Sequence, residues 1–215
     1  MRVADIRKIF RDKLADGDFT EDGMLEIINA SFIADEASIF GTINNDYIRR
    51  ETEWYMSESL NINDMEEPIP AIWKNIATPD GRINSNYGWA IFSEENGDQM
   101  YHAIEALRKN KHSRQAVMIY TRPSMHTDAF MDGMKDFICT YSTQMMIRDN
   151  KLHYLVFMRS NDCVFGYKND RAWHNHIHEC ALDSLLLDYP ELQIGDLMWN
   201  VGSLHIYPQH HRLVW

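Results

Sequence analysis

Two strand-like runs, 137–147 and 152–158, flank the turn sequence Arg148-Asp149-Asn150-Lys151. A two-residue turn between two such runs is typical of a β-hairpin. With Asp149 and Asn150 in the turn, residue 148 pairs with residue 151. Counting back along both strands places Cys139 opposite Ser160, with Arg159 one position away. This register assumes a hairpin without a bulge.

The remaining elements alternate less regularly along the chain. Helical patterns cover 1–15, 46–58, 98–109 and about 170–187, and further strand-like runs cover 115–121 and about 197–207. Helices, then strands, then a helix and a strand favour the α+β class over regular βαβ alternation. Loop signals at 61–70 and 78–86 mark no boundary, so we expect one domain spanning 1–215.

The composition restricts the class of partner. The 215 residues are 45% hydrophobic and 25% charged, which is typical of a globular protein. A net charge of -11 argues against nucleic-acid binding, because a phosphate backbone requires a basic surface. A small anionic substrate is not excluded, since it needs only a few local arginines. No run approaches the roughly 18 apolar residues of a membrane span, so we expect no membrane partner.

The cysteines and the start of the chain indicate a compartment. Three cysteines without close pairing suggest free thiols in a reducing environment. The first residues, MRVADIRKIF, are charged and contain no apolar segment of the kind found in signal peptides. We therefore expect a cytoplasmic protein.

The hairpin places a thiol beside a guanidinium. A nearby cation lowers the pKa of a cysteine and favours the nucleophilic thiolate. Taken separately, Cys139 is more often an inert core residue, and Arg159 is more often the partner in a surface ion pair. The register alone therefore leaves both interpretations open.

Glu51 lies in the middle of an apolar helical face formed by Tyr47, Ile48, Trp54 and Tyr55. A carboxylate there is costly unless it is hydrogen-bonded or used in chemistry. Burial should raise its pKa towards a value that suits proton transfer. The alternative is a buried glutamate paired with a structural arginine.

The histidines between 174 and 178 form a competing signal. His174 and His178 are one helical turn apart, a spacing that can bind zinc. His176 and Cys180 point elsewhere on the same helix, and no third ligand is evident. A solvated or packed histidine face is the favoured interpretation, and we expect no metal.

Five longer segments occur in the order of one known family. They are IRRETEWYMSESLNI (48–62), NSNYGWA (84–90), FICTYSTQ (137–144), MRSNDCVFGYKND (158–170) and GSLHIY (202–207). Together they resemble the thymidylate synthase superfamily over roughly residues 20–210. Within that superfamily the resemblance favours virus-encoded members that hydroxymethylate deoxycytidylate.

The resemblance implies a fold, a co-substrate and an assembly. The fold would be the α+β thymidylate synthase fold, a large mixed sheet covered by helices, in a homodimer that packs sheet against sheet. The co-substrate would be 5,10-methylenetetrahydrofolate. Cys139 would attack carbon 6 of the pyrimidine, Glu51 would act as general acid/base, and Tyr87 would lie near carbon 5.

The same resemblance implies binding residues. Arg159, Ser160 and the partner subunit's Arg114 would bind the phosphate, and His205 and Tyr207 would bind the deoxyribose hydroxyl. Gln144 would lie near the nucleotide. Trp73, Asp162 and Gly166 would contact the folate. Two arginines of the family pattern are missing, because Gln115 and Ser31 stand at about those places.

Asp170 occupies the position at which thymidylate synthases carry asparagine. Asn accepts from uracil N3–H and donates to O4, whereas cytosine presents the reverse pattern. A carboxylate accepts from the cytosine amino group and favours a proton at N3, so Asp170 favours dCMP. The alternative is that Asp170 caps the following helix. Thr140, where synthases have histidine, also departs from the synthase pattern.

The resulting hypothesis is transfer of a one-carbon unit to carbon 5 of dCMP with addition of water, in the host cytoplasm. Two alternatives remain: reductive methylation by a thymidylate synthase or dCMP methylase, and a catalytically weak binding subunit of a nucleotide-synthesis complex. Family members continue beyond the position of Trp215 and often close the site with a tail. We expect either no such closure here or a shortened form.

Overall fold

The computed structural model describes the backbone of residues 1–215 and every side chain except those of residues 129, 131 and 132. The strands are β1 (Leu25–Ile33), β2 (Val117–Ile119), β3 (Thr140–Arg148), β4 (Lys151–Asp162) and β5 (Gln193–Ile206). In the chain so described they form one sheet in the order β1-β5-β4-β3-β2. β4 and β5 run parallel, and the other neighbours are antiparallel. The predicted mixed sheet is confirmed.

The helices are α1 (Val3–Asp16), α2 (Asn45–Met56), α3 (Ala71–Ile76), α4 (Tyr87–Phe92), α5 (Gln99–Lys109), α6 (Met125–Asp132) and α7 (Gly166–Leu185). Helix α7 packs against β4 and β5, α1 packs against β1, and α5 packs against β2. Among the described residues, none of the helices combines the length and the apolar character needed to cross a membrane. The α+β class is confirmed.

The two faces of the sheet differ in burial. Along β4, Leu152, Tyr154, Val156 and Met158 are fully buried at every second position. This alternation follows from the pleat of a strand, whose successive side chains point to opposite faces. On the other face polar and apolar side chains are only partly covered; on β2, Val117 is 40% and Ile119 is 57% exposed. One face therefore forms the core, and the other leaves apolar side chains of β2 exposed.

The β3–β4 hairpin has the predicted turn but not the predicted register throughout. Arg148 pairs with Lys151, and Asp149 and Asn150 adopt positive φ angles of 49° and 59°. A register shift between residues 140 and 142 then moves the pairing by one residue. As a result, the backbone N–H of Arg159 donates to the oxygen of Cys139 at 2.9 Å. The predicted pairing of Cys139 with Ser160 is wrong by one position.

Other boundaries also differ from the sequence analysis. Strand β1 was not predicted, and Asn29, with φ of 56°, interrupts its regular alternation. The short helices α3, α4 and α6 were likewise not predicted. Helix α7 begins at Gly166, just after a turn in which the carboxylate of Asp162 accepts the N–H groups of Val164 and Phe165. Asp170 therefore lies inside the helix, and the alternative that it is the N-cap is wrong.

Candidate functional site

A cavity of about 900 Å³ lies between α2, α3, α4, the start of α7 and the segment that precedes β3. Most of the residues predicted for the site line this cavity: Glu51, Trp73, Tyr87, Cys139, Asp162, Gly166, Asp170 and Tyr207. These residues come from widely separated parts of the sequence. The fold thus brings the predicted nucleophile, both predicted carboxyl groups and the predicted folate contacts to one place.

Several predicted residues lie outside the cavity wall. His205 is buried beside Tyr207, with ring centroids 4.8 Å apart. Ser160 pairs with Ser203 in the sheet. Gln144 lies on β3 between the buried residues 143 and 145, and its amide donates to the backbone oxygen of Arg114 at 2.8 Å. Within one subunit, Gln144 and Arg114 are not brought to the cavity, so the expected role of Gln144 at the nucleotide has no support in the single chain.

Cys139 lies directly before β3, and the Arg159 guanidinium faces it. Nη2 of Arg159 is 3.6 Å from Sγ of Cys139, and its Nε donates to the backbone oxygen of Ile138 at 3.1 Å. Burial raises the pKa of the thiol, the charge of Arg159 opposes that shift, and nearby Asp170 and Asp136 add to it. The resulting pKa of Cys139 is about 11. Arg159 therefore lowers the pKa of Cys139, in the direction that the sequence predicts, but burial outweighs this effect and the thiol is protonated at neutral pH.

Glu51 is buried on α2, as its place in the apolar face predicts. Its Oε1 accepts a hydrogen bond from the hydroxyl of Tyr47, which in turn accepts from Nε1 of Trp73 at 2.9 Å. Burial raises the pKa of Glu51 to about 7, although these hydrogen bonds oppose the shift. No arginine is among its hydrogen-bond partners in the described structure, so the alternative of a structural ion pair is not supported. A carboxyl group poised near neutrality suits proton transfer.

Asp170 lies one turn into α7, with part of its surface open to the cavity. Its Oδ2 accepts from Nδ2 of Asn161 at 2.7 Å, and its Oδ1 accepts from the hydroxyl of Tyr87 at 3.2 Å. Burial, with a smaller contribution from the charge of Glu51, raises the pKa of Asp170 to about 8. Two acidic groups in one desolvated cavity thus hold protons at pH values where exposed carboxyl groups are ionised.

The aromatic wall of the cavity can accommodate a flat ring. Trp73 packs edge-on against Trp54 at 5.1 Å between centroids, and Tyr87 stacks on Tyr55 at 5.1 Å with an interplanar angle of 11°. Asp162, beside them, uses its carboxylate for the N–H groups of Val164 and Phe165. Its predicted pterin contact would have to use the remaining capacity of those two oxygens.

The histidines that compete as a zinc site are packed in the core. His174 and His178 are almost completely buried. Nε2 of His174 lies 3.1 Å from the hydroxyl of Thr140, and Nε2 of His178 lies 2.6 Å from the oxygen of Leu152. Burial lowers the pKa of His174 to about 3, so the ring is neutral. In the part of the chain that the structure describes, no three His, Cys, Asp or Glu residues are grouped as a metal site requires.

Three residues at the site were missed by the sequence analysis. Tyr47 donates to Glu51, Asn161 donates to Asp170, and buried Asp136 lines the cavity while it accepts from Ser85. Tyr47 had a detectable signal, because it lies four positions from Glu51 on the same helical face. Asn161 and Asp136 had none, since their partners are distant in sequence.

Residues 41–214 match the thymidylate synthase family, and the chain belongs to that family. It is 47% identical over 220 residues to the deoxycytidylate 5-hydroxymethyltransferase of Enterobacteria phage T6 and 46% identical over 224 residues to that of phage T4. Both alignments cover 100% of this chain and 89% of the relative. The predicted resemblance, and with it the prediction of an enzyme, is confirmed.

Solved structures agree on the fold. Thymidylate synthase A from Bacillus subtilis matches with a TM-score of 0.64 and 25% identity, covering 91% of this chain and 70% of that one. The thymidylate synthase of T4 phage matches with a TM-score of 0.73 and 18% identity, covering 96% and 77%. The predicted thymidylate synthase fold is confirmed.

Proposed function

We propose that this chain, as one catalytic domain, transfers a one-carbon unit from 5,10-methylenetetrahydrofolate to carbon 5 of dCMP and completes the reaction with water. The products would be 5-hydroxymethyl-dCMP and tetrahydrofolate. The observation that carries this proposal is a half-buried Asp170, with a raised pKa, in the same cavity as Cys139. The relatives named deoxycytidylate 5-hydroxymethyltransferase support it.

Cys139 is the proposed nucleophile. Its sulfur forms a bond to carbon 6 of the pyrimidine, which gives carbon 5 the electron density needed to bond to the incoming carbon. Because burial keeps the thiol protonated, the proton must leave as the bond forms. Arg159, 3.6 Å from the sulfur, stabilises the negative charge during that step. The bond from sulfur to carbon 6 breaks at the end, and the thiol is regenerated.

Asp170 is the proposed reader of the base. With a pKa of about 8, its carboxyl group is mainly protonated at neutral pH. A neutral carboxyl group pairs with cytosine by accepting from the amino group and donating to N3. Protonation at N3 also makes carbon 6 more electrophilic. The same residue therefore supports both selection of dCMP and attack by Cys139.

Glu51 and Tyr87 are the proposed proton-handling residues. Carbon 5 loses its hydrogen when the new carbon is attached, and water later supplies the hydroxyl oxygen. A glutamate with a pKa of about 7 is suited to accept and return protons in these steps. Tyr87, whose hydroxyl lies 3.2 Å from Oδ1 of Asp170, places a second proton carrier beside the base-reading group.

The cavity suits a folate as well as a nucleotide. Its volume of about 900 Å³ and its wall of Trp73, Tyr47 and Ile72 provide an apolar surface for a flat ring. The residues proposed to hold it are Trp73, Asp162 and Gly166. When bound, 5,10-methylenetetrahydrofolate supplies the one-carbon unit.

We further propose a homodimer in which the phosphate is bound by Arg159 and Ser160 and by the partner subunit's Arg114. The exposed, apolar side chains of Val117 and Ile119 support burial of this sheet face against a second copy. Arg114 is exposed, and its side chain has no partner among the described residues of its own chain. Such an arginine is available to a neighbouring site.

The test is to incubate the protein with methylenetetrahydrofolate and either dCMP or dUMP, and to identify the product by mass. We expect 5-hydroxymethyl-dCMP with tetrahydrofolate. Methylated nucleotide together with dihydrofolate would instead identify a reductive methylase and overturn the proposal. Release of tritium from carbon 5 of dCMP, abolished in Cys139→Ser, would separate an active enzyme from a binding subunit.

A further inference from the structure

Asn161 bridges a tryptophan of the core and the base-reading carboxyl group. It lies near the end of β4 and is only 3% exposed. Its Nδ2 donates to Oδ2 of Asp170 at 2.7 Å, and its Oδ1 accepts from Nε1 of Trp199 at 3.1 Å. Trp199 itself is fully buried on β5 and packs against His174 and Tyr167. The three polar groups form a chain that leads from the core to the cavity.

The indole fixes which way the amide points. An indole N–H can only donate, so the atom of Asn161 that faces Trp199 must be the oxygen. The amide nitrogen must then face Asp170. Rotation of the amide by 180° would set two N–H groups against each other and an oxygen against a carboxyl oxygen. The orientation, often ambiguous for an amide, is therefore determined here by chemistry.

We propose that Asn161, held by Trp199, makes Oδ2 of Asp170 a fixed acceptor and so assigns the proton of the neutral carboxyl group to Oδ1. An N–H donated to Oδ2 raises the cost of placing a second hydrogen on that oxygen. The hydroxyl of Tyr87 near Oδ1 is compatible with this assignment, because a protonated carboxyl oxygen can still accept from Tyr87 while its own proton is donated to N3. Asn161 touches Asp170 rather than the substrate, so it is a positioning residue.

A fixed proton converts a neutral carboxyl group into a selective reader. Cytosine and uracil present opposite orders of donor and acceptor at position 4 and N3. A carboxyl group whose proton can sit on either oxygen pairs with both bases, whereas one with a fixed order pairs with only one. This inference rests on the proposed function and deepens it: Asp170 supplies the carboxyl group, and Asn161 with Trp199 supplies its discrimination against dUMP.

The test compares kcat/KM for dCMP with kcat/KM for dUMP in three variants. Asn161→Ala removes the donor, and we expect the dCMP:dUMP ratio to fall about tenfold or more. Trp199→Phe keeps an aromatic ring but frees the amide to rotate, so a smaller fall in the same direction is expected. Asn175→Ala, on the same helix as Asp170 but bonded to Glu179, is the matched control and should leave the ratio unchanged.

The ratio separates positioning from structural damage. A loss of folded protein lowers both values of kcat/KM equally and therefore leaves their ratio unchanged.

The pH profile of dCMP turnover gives a second readout. The hydrogen bond from Asn161 lowers the pKa of Asp170, while Glu51 and Asp162 raise it. Asn161→Ala should therefore move the alkaline decline of dCMP turnover to higher pH.

An unchanged ratio in Asn161→Ala, with dCMP turnover retained, overturns the inference. If that variant does not fold, Trp199→Phe carries the test, and an unchanged ratio there has the same meaning. If a variant folds but is inactive, binding of dCMP and dUMP measured by calorimetry supplies the ratio instead. Failure of the proposed function would be visible in the unaltered protein, as absent dCMP turnover or a preference for dUMP, before any variant is compared.

Discussion

Nη2 of Arg159 lies 3.6 Å from Sγ of Cys139, and the same nitrogen donates a 2.5 Å hydrogen bond to the backbone oxygen of Phe137. The guanidinium is therefore tied to the segment that carries the thiol, and the charge and the sulfur stay together. Burial of the thiol nevertheless outweighs the charge and holds the pKa of Cys139 at about 11. In the proposed reaction, the arginine would stabilise the developing thiolate without producing it in advance.

Alkylation of Cys139 should follow from this balance. Because only the thiolate reacts, the rate of labelling by iodoacetamide should keep rising between pH 7 and pH 10. Arg159→Ala removes the favourable charge, raises the pKa of Cys139 further, and should slow labelling at pH 8 several-fold. Peptide mapping by mass spectrometry distinguishes Cys139 from Cys163 and Cys180, and Cys180 in the same digest serves as the control. A rate that levels off below pH 8 would contradict this account.

Glu51 should make the protein less stable as the pH rises. Its pKa is about 7 in the folded chain and near 4.5 when unfolded, so the unfolded state loses its proton first. The stabilisation is full below about pH 4.5 and is lost as the pH rises through 7. Glu51→Gln should therefore raise the unfolding free energy at pH 8 by up to about 3 kcal/mol. The measurement is urea unfolding at pH 5 and pH 8.

The matched control for this change is Glu53→Gln, because Glu53 is exposed on the same helix and pairs with Arg49. Exposed pairs contribute little, so its effect should be small at both pH values. Turnover of dCMP provides a second comparison. In Glu51→Gln, kcat should fall roughly 100-fold or more, and in Glu53→Gln it should stay almost unchanged. A Glu51→Gln variant that is no more stable than Glu53→Gln at pH 8 would contradict the raised pKa of Glu51.

The hairpin and Glu51 show what local sequence patterns could predict. The turn at Asp149-Asn150 is determined by residues adjacent in sequence, and the burial of Glu51 follows from a helical face that can be counted. The register near Cys139 could not be predicted, because it depends on a bulge that no neighbouring residue requires. Likewise, whether the pKa of Cys139 is raised or lowered depends on burial, which is a property of the complete fold.

The residues around Asp170 show more clearly what could not be predicted from the sequence. Its family motif placed it at the site, but the motif did not reveal that Asn161 holds one of its oxygens. That contact needs β4 and α7 to be packed together, and its orientation needs Trp199 from β5. Long-range contacts of this kind carry no local signal. The sequence therefore predicted the residues that line the cavity better than the side chains that orient them.

Asp170→Asn should exchange the preferred base. Asn presents an N–H donor and an oxygen acceptor, the pattern that suits uracil, and it cannot donate a proton to N3 of cytosine. We expect kcat/KM for dCMP to fall about 100-fold or more and kcat/KM for dUMP to rise. In the unaltered protein, kcat/KM for dCMP should also decline as the pH passes about 8, because Asp170 then loses its proton. In Asp170→Asn, which has no carboxyl group at this position, kcat/KM for dUMP should show no such decline near pH 8.

A variant that loses activity towards both nucleotides equally would contradict this role for Asp170. Binding measurements sharpen the result, since dUMP should bind Asp170→Asn more tightly than it binds the unaltered protein. Asp183→Asn, a change of the same type further along α7, provides the control and should leave the preference for dCMP intact.

Subunit mixing tests the proposed contribution of Arg114 across the interface. Cys139→Ser and Arg114→Ala should each be nearly inactive as homodimers, the first for lack of a nucleophile and the second for weak phosphate binding. A mixed dimer has one complete site. In that site the Arg114→Ala subunit supplies an intact Cys139, and the Cys139→Ser subunit supplies the partner subunit's Arg114. Random pairing should restore about a quarter of the activity of the unaltered protein, counted per total subunit. Unfolding and refolding the two variants together, followed by dCMP turnover, measures this. Two inactive variants that gain nothing on mixing would contradict a contribution of Arg114 to the site of the neighbouring subunit.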